Sequence, residues 1–216
     1  MRTYQPLLVV LLLNLAGGYT STAHADVVMD FENLANPSNG FATPQGSIVT
    51  QNGFTLNSND SDGFYTVAPD GGLSGLNYTG SVAAAPADYP NISTLTQTDG
   101  DPFSLHSIDM ANLFQQSNTP GKEVVIVTGN LVGGGTVTQY CVVEDNDSLQ
   151  HFTFPSTFSH LSSVSLWEEQ ASSGVQYDNL VLRPSSVPEP GVCATLSGFG
   201  LTGGLILYRR RRLVGR

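Results

Sequence analysis

Through the middle of the chain, apolar and polar residues alternate in short runs separated by clusters of Gly, Asn, Asp, Ser and Pro. Strand side chains point to opposite faces in turn, so a period of two predicts strands, and strands at short intervals predict an antiparallel sandwich or barrel. Residues 27–31 predict a first strand, and 46–56 a second with Gly53 as a bulge. A strand over 103–110 alternates around Leu105 and Ile108. The clearest hairpin runs from 123 to 132, turns at Gly133-Gly134-Gly135 and returns over 136–144; the glycines supply the positive φ angles a short loop needs. Strands over 151–154, 163–167 and 175–182 complete the set. The stretch between Asn57 and Asp101 reads as loop-rich, and sandwich loops gather at sheet ends where ligands bind. No segment of the body has a helical apolar period, and no internal repeat is visible. The expectation is an all-β chain: a single β-sandwich over 26–184, flanked by an N-terminal signal peptide and a C-terminal transmembrane helix.

The two ends break the alternation. After Arg2 an apolar run over 7–16 leads to Ala23-His24-Ala25, the order of a secretory signal peptide over 1–25 with cleavage after Ala25 by signal peptidase. At the other end, over 185–216, Val187-Pro188-Glu189-Pro190 is followed by an uncharged run over 192–208 and by Arg209, Arg210, Arg211 and Arg212. Seventeen residues in a helix span about 26 Å, at the short end of what crosses a membrane, and a basic block after the span holds that end in the cytoplasm.

This tail resembles the PEP-CTERM sorting signal of Gram-negative bacteria, in which a Val-Pro-Glu-Pro, a Gly-rich hydrophobic span and an Arg cluster follow in order. The resemblance implies processing by exosortase, a membrane cysteine protease, with an inner-membrane intermediate and a final place at the cell surface or in the extracellular matrix, associated with exopolysaccharide or biofilm. A permanent single-pass anchor is the alternative the same residues support. More weakly, the body resembles jelly-roll and galactose-binding-like domains through Asp30-Phe31-Glu32, the Gly129 to Gly135 hairpin, Phe152-Thr153-Phe154 and Tyr177-Asp178-Asn179-Leu180.

Composition narrows the function. Charged residues make up 12% of the chain, whose formal net charge is −10. Six of the eight bases lie in the terminal segments, leaving Lys122 and Arg183 against 17 acids between Asp26 and Val187, a net of −15. Such a surface repels nucleic acid and suits cations or neutral glycans. Cys193 falls in the tail, so Cys141 has no partner within the body and reads as a buried structural thiol.

Candidate chemistry is sparse. Asp178 shares a face with Leu180 and Leu182, so its carboxylate points toward the core edge and needs donors or a cation. In related jelly rolls a structural calcium sits between the first and last strands, where Asp30 or Glu32 would meet Asp178; acceptance of backbone N–H groups by Asp178 in a turn is the competing reading. Ser58-Asn59-Asp60-Ser61-Asp62-Gly63 fails the EF-hand pattern, because Pro69 stands where Glu is required. Asp145-Asn146-Asp147 offers oxygens but reads equally as a turn. His106, His151 and His160 form no metal-ligand pair, and Ser74 lacks the glycine two residues on that a nucleophile elbow needs. A non-catalytic role is therefore expected, with no cofactor other than a structural calcium. Sugars are held by aromatic faces and planar polar groups, which makes Trp167, Tyr65, Tyr78 and Tyr89 the candidate glycan contacts, with a place in the core as an equal reading of Trp167. The alternatives are a carbohydrate-binding module with a specific ligand and a polysaccharide-acting hydrolase.

Overall fold

The computed structural model describes residues 25–34, 42–67, 76–87, 91–114, 122–144, 146–168 and 174–185. The sorting tail, the span over 192–208, the signal peptide up to His24, Ser74, Tyr89, Asp145 and Cys193 lie outside the described residues. The described residues fall within one compact unit, His24–Ser185.

That unit is all-β. Its strands are β1 (Val27–Met29), β2 (Ala42–Gly46), β3 (Ile48–Gln51), β4 (Phe54–Ser58), β5 (Phe64–Val67), β6 (Ala83–Pro86), β7 (Ile92–Gln97), β8 (Phe103–Asn112), β9 (Glu123–Leu131), β10 (Thr136–Val143), β11 (Gln150–Thr153), β12 (Leu161–Glu168) and β13 (Val175–Pro184). A single 3₁₀ turn, Glu32–Leu34, is the helical element among the described residues. Every ladder is antiparallel.

The ladders build a jelly-roll-like sandwich. One layer runs β2-β5-β6-β13-β8-β11, with β1 sharing the β6 side of β13. The other runs β3-β4-β7-β12-β9-β10. They join where Leu161 of β12 meets Phe103 of β8, so the sheet is nearly closed. Inward residues of both layers form one core that includes Phe54, Phe103, Leu105, Val125, Leu166 and Leu180, with Phe54 and Phe103 packed edge to face at 5.4 Å. Burying each such side chain contributes about 1.5–3 kcal/mol.

Two sequence expectations are corrected here. The strand expected over 46–56 is the β3–β4 hairpin: Asn52 and Gly53 adopt φ of 51° and 82°, the two positive angles of a tight hairpin turn, so Gly53 closes a turn and is not a bulge. The stretch from Asn57 to Asp101 holds β5, β6 and β7. β6 eluded the pattern because Ala83, Ala84 and Ala85 are all fully buried and show no alternation to read. The long hairpin over 123–144 is present as expected, with Gly133, Gly134 and Gly135 all at positive φ.

Candidate functional site

Alternation in β12 sends Val164 and Leu166 into the core and Trp167 outward, where it is 42% exposed. Its cross-strand neighbours are Ile92 in β7 and Ile126 in β9, and Ile126 in turn faces Tyr140 in β10. The row Ile92–Trp167–Ile126–Tyr140 therefore crosses four adjacent strands, and Tyr140 is 65% exposed. With strands spaced about 4.8 Å apart, the Trp167 and Tyr140 backbones stand roughly 10 Å apart. Val142, also exposed, extends the apolar row along β10.

Hydroxyl and amide groups flank this row. The next register line is Asn57–Thr94–Ser165–Thr128–Thr138, with the Thr128 and Thr138 hydroxyls 3.4 Å apart. Beyond it lie Ser163, Asn130 and Thr136, where the Asn130 amide donates to the Ser163 hydroxyl at 2.9 Å. The outward positions of these strands carry no charged side chain, although the body as a whole is strongly acidic. Tyr140 was missed in the sequence. Its signal was the alternation of Tyr140 and Val142 against Cys141 and Val143, which places the first pair outside and the second pair in the core.

Of the other expected glycan contacts, Tyr65 and Tyr78 do not join this row. Tyr65 belongs to β5 in the opposite layer, and Tyr78 lies between Asn77, bonded to Leu113, and β6.

The expected calcium ligands separate into two environments. Asp30 accepts from the Gln51 amide at 2.6 Å and from the Glu32 backbone. Glu32 accepts from the Ser81 hydroxyl at 2.7 Å and from the Val82 N–H. Asp178 is fully buried and accepts from the Asn179 N–H at 2.7 Å, the turn reading of its role. Burial pushes its carboxyl up to about 6, against hydrogen bonds from Ser81 and Asn179, with Asp109 and Glu32 adding repulsion. Glu32 and Asp178 thus meet around Ser81, while Asp30 turns to Gln51. Among the described residues no three His, Cys, Asp or Glu side chains are grouped to hold a metal. Asn179 also bonds Asp109, which holds His151 Nδ1 at 2.6 Å, a chain of contacts the sequence did not reveal.

Elsewhere the acidic loops do turn chemistry. Asp60 accepts from the Asp62 N–H and Asn146 from the Ser148 N–H. Cys141 is buried, and burial pushes its thiol up to about 11.

A second polar group lies inside the sandwich. Glu123 and Glu168 are both buried, and Tyr177 reaches across from β13 to donate to Glu168 at 2.9 Å. Burial pushes the Glu168 carboxyl up to about 8; the Tyr177 hydrogen bond opposes this and the Glu123 charge adds to it.

No protein-family model matches the chain, and no curated protein matches it. Among solved structures, it is similar at 16% identity to the CBM22-1 xylan-binding domain from Paenibacillus barcinonensis, over 78% of this chain and 100% of that one, with a TM-score of 0.42. A mutant of the family 29 carbohydrate-binding module CBM29-2 is 13% identical over 74% of this chain and 92% of its own, also at 0.42. A family 11 carbohydrate-binding module from Clostridium thermocellum, in complex with a β-1,3-1,4-mixed-linked tetrasaccharide, is 7% identical over 78% and 100%, at 0.32.

Proposed function

We propose that this chain is an exported, non-catalytic surface protein whose β domain holds a neutral polysaccharide against the outer face of the β3-β4-β7-β12-β9-β10 layer. The observation that carries this is the Trp167–Ile126–Tyr140 row set beside lines of Thr, Ser and Asn with no charge among them. A pyranose presents C–H groups on its faces and hydroxyls at its rim, so a ring stacks on Trp167 or Tyr140 while its hydroxyls reach the neighbouring side chains. A row across the strands suits an extended chain lying perpendicular to them.

Electrophoresis of the full chain through gels containing neutral polysaccharide tests this. Retardation is expected, with Trp167→Ala and Tyr140→Ala each weakening binding roughly tenfold or more, about 1.4 kcal/mol. Both side chains are exposed, so melting temperature should barely move. Retention of full retardation by the double variant would sink the reading, and turnover of the polysaccharide would replace it with a hydrolase.

The sorting half of the proposal rests on the order Val187 to Pro190, uncharged run, Arg209 to Arg212. Exosortase would act on the Pro-Glu-Pro region at the outer face of the inner membrane, and the body would then reach the surface or matrix. The native protein is expected to lose the mass of the tail only in cells that hold the enzyme. An intact tail in both cases would make the chain a simple membrane-anchored protein.

A further inference from the structure

On the other layer, the loop after β11 folds over the start of β8 and leaves a cleft of about 430 Å³. Two backbone bonds fix the loop: Phe154 N–H to the His106 carbonyl at 2.9 Å, and Leu105 N–H to the Phe158 carbonyl at 3.0 Å. Ser104, His106, Phe154, Ser156, Ser159 and Arg183 line the cleft. Arg183 lies opposite Ser104 in the β13–β8 ladder, so both reach it from adjacent strands.

Arg183 is one of two cationic side chains, with Lys122, against the 17 acids of the body. Its Nε donates to Asp26 Oδ1 at 2.8 Å, and His106 Nδ1 lies 3.9 Å from the same oxygen. Asp26 thus holds the guanidinium by one edge, and it is the acceptor that Arg183 bonds among the described residues. The terminal amino groups remain to form the paired hydrogen bonds by which arginine grips a carboxylate. Phe154, packed on Phe158 at 4.8 Å, supplies an aromatic wall, and three serine hydroxyls supply polar contacts. An inorganic anion would use neither the wall nor the volume, which falls in the range of small-molecule sites.

We propose that this cleft binds a sugar that carries a carboxylate, a uronic acid unit, with Arg183 on the carboxylate, Phe154 against the ring and the serines on its hydroxyls. The site is separate from the neutral face around Trp167 and does not rest on that reading. It gives the protein a second contact, suited to an acidic unit at the end or branch of a polysaccharide.

Calorimetric titration of the full chain with glucuronic acid, glucose and acetate tests it. Glucuronic acid is expected to bind, while glucose and acetate at the same concentration give at least tenfold weaker signals. Arg183→Gln should abolish binding, Arg183→Lys should restore part of it, and Ser156→Trp should block the cleft without touching the arginine. Trp167→Ala should leave glucuronic acid binding intact, which separates this site from the neutral face. Should Arg183→Gln misfold, as circular dichroism would reveal, Ser156→Trp decides the outcome. Equal binding of glucose, binding of acetate as tight as that of glucuronic acid, no binding of glucuronic acid, or binding undiminished by Ser156→Trp would overturn the proposal.

Discussion

Glu168 shows what a single residue's surroundings can do. It ends a strand whose alternation points it inward, beside the buried Glu123 and under the Tyr177 hydroxyl. Its folded-state value of about 8 lies above the ordinary 4.5, so folding favours the protonated form. This contribution to stability is fully present below pH 4.5 and is lost as pH rises through 8, because the unfolded chain then binds fewer protons than the folded one. Asp178, raised from 3.8 to about 6, acts in the same direction over a lower window. Each tenfold change in proton affinity is worth about 1.4 kcal/mol. Thermal unfolding across pH 5 to 8 should therefore show a falling melting temperature, and Glu168→Gln, which keeps the shape without the charge, should flatten the decline. A steeper decline in the variant would contradict this account. Cys141 makes a simpler case: buried and pushed up to about 11, it should resist thiol reagents at neutral pH until the protein is unfolded.

Among the elements, turns and irregularities decide which faces meet. The β3–β4 hairpin depends on positive φ at Asn52 and Gly53, and the long β9–β10 hairpin on Gly133 to Gly135. At Gly63, φ is +74° and an added Cβ would collide with the Gly46 carbonyl, so two segments are clamped together there. Gly63→Ala should cost more than about 2 kcal/mol, lowering the melting temperature by roughly 5 °C or more. A variant melting with the wild type would show that the β2–β5 region relaxes freely. β13 carries a register shift between Asp178 and Val181, with Asn179 at φ 47°. The shift moves the core-facing positions from Val175 and Tyr177 to Leu180 and Leu182, so Asp178, next to Tyr177, does not share a face with the two leucines as regular alternation implied, and Asn179 turns its amide to Asp109.

For the whole molecule, the distribution of charge matters more than its sum. A body with a net of −15 keeps the outward strand positions around Trp167 uncharged, with the Lys122–Glu144 ion pair beyond the end of the β9–β10 ladder, so binding of a neutral polysaccharide there should change little between low and high salt, whereas nucleic acid should not bind at either. Marked salt sensitivity of the neutral polysaccharide complex would point to contacts away from the Trp167 row. Among the described residues no helix is long and apolar enough to cross a membrane.

Alternation along each strand and the glycine turn were enough to determine the all-β class and the long hairpin, because a period of two and a tight turn are local properties of the backbone. The same local pattern misled over 46–56, where a turn of two residues hid inside an apolar run, and it was silent over the three alanines of β6. The partners of each face were decided only by the tertiary structure. β12 lies between β7 and β9, which brings Trp167 to Ile126 and Tyr140; β13 lies beside β8, which sets Arg183 next to Ser104. Strand neighbours come from pairing and register between segments distant in sequence, and no local period encodes them.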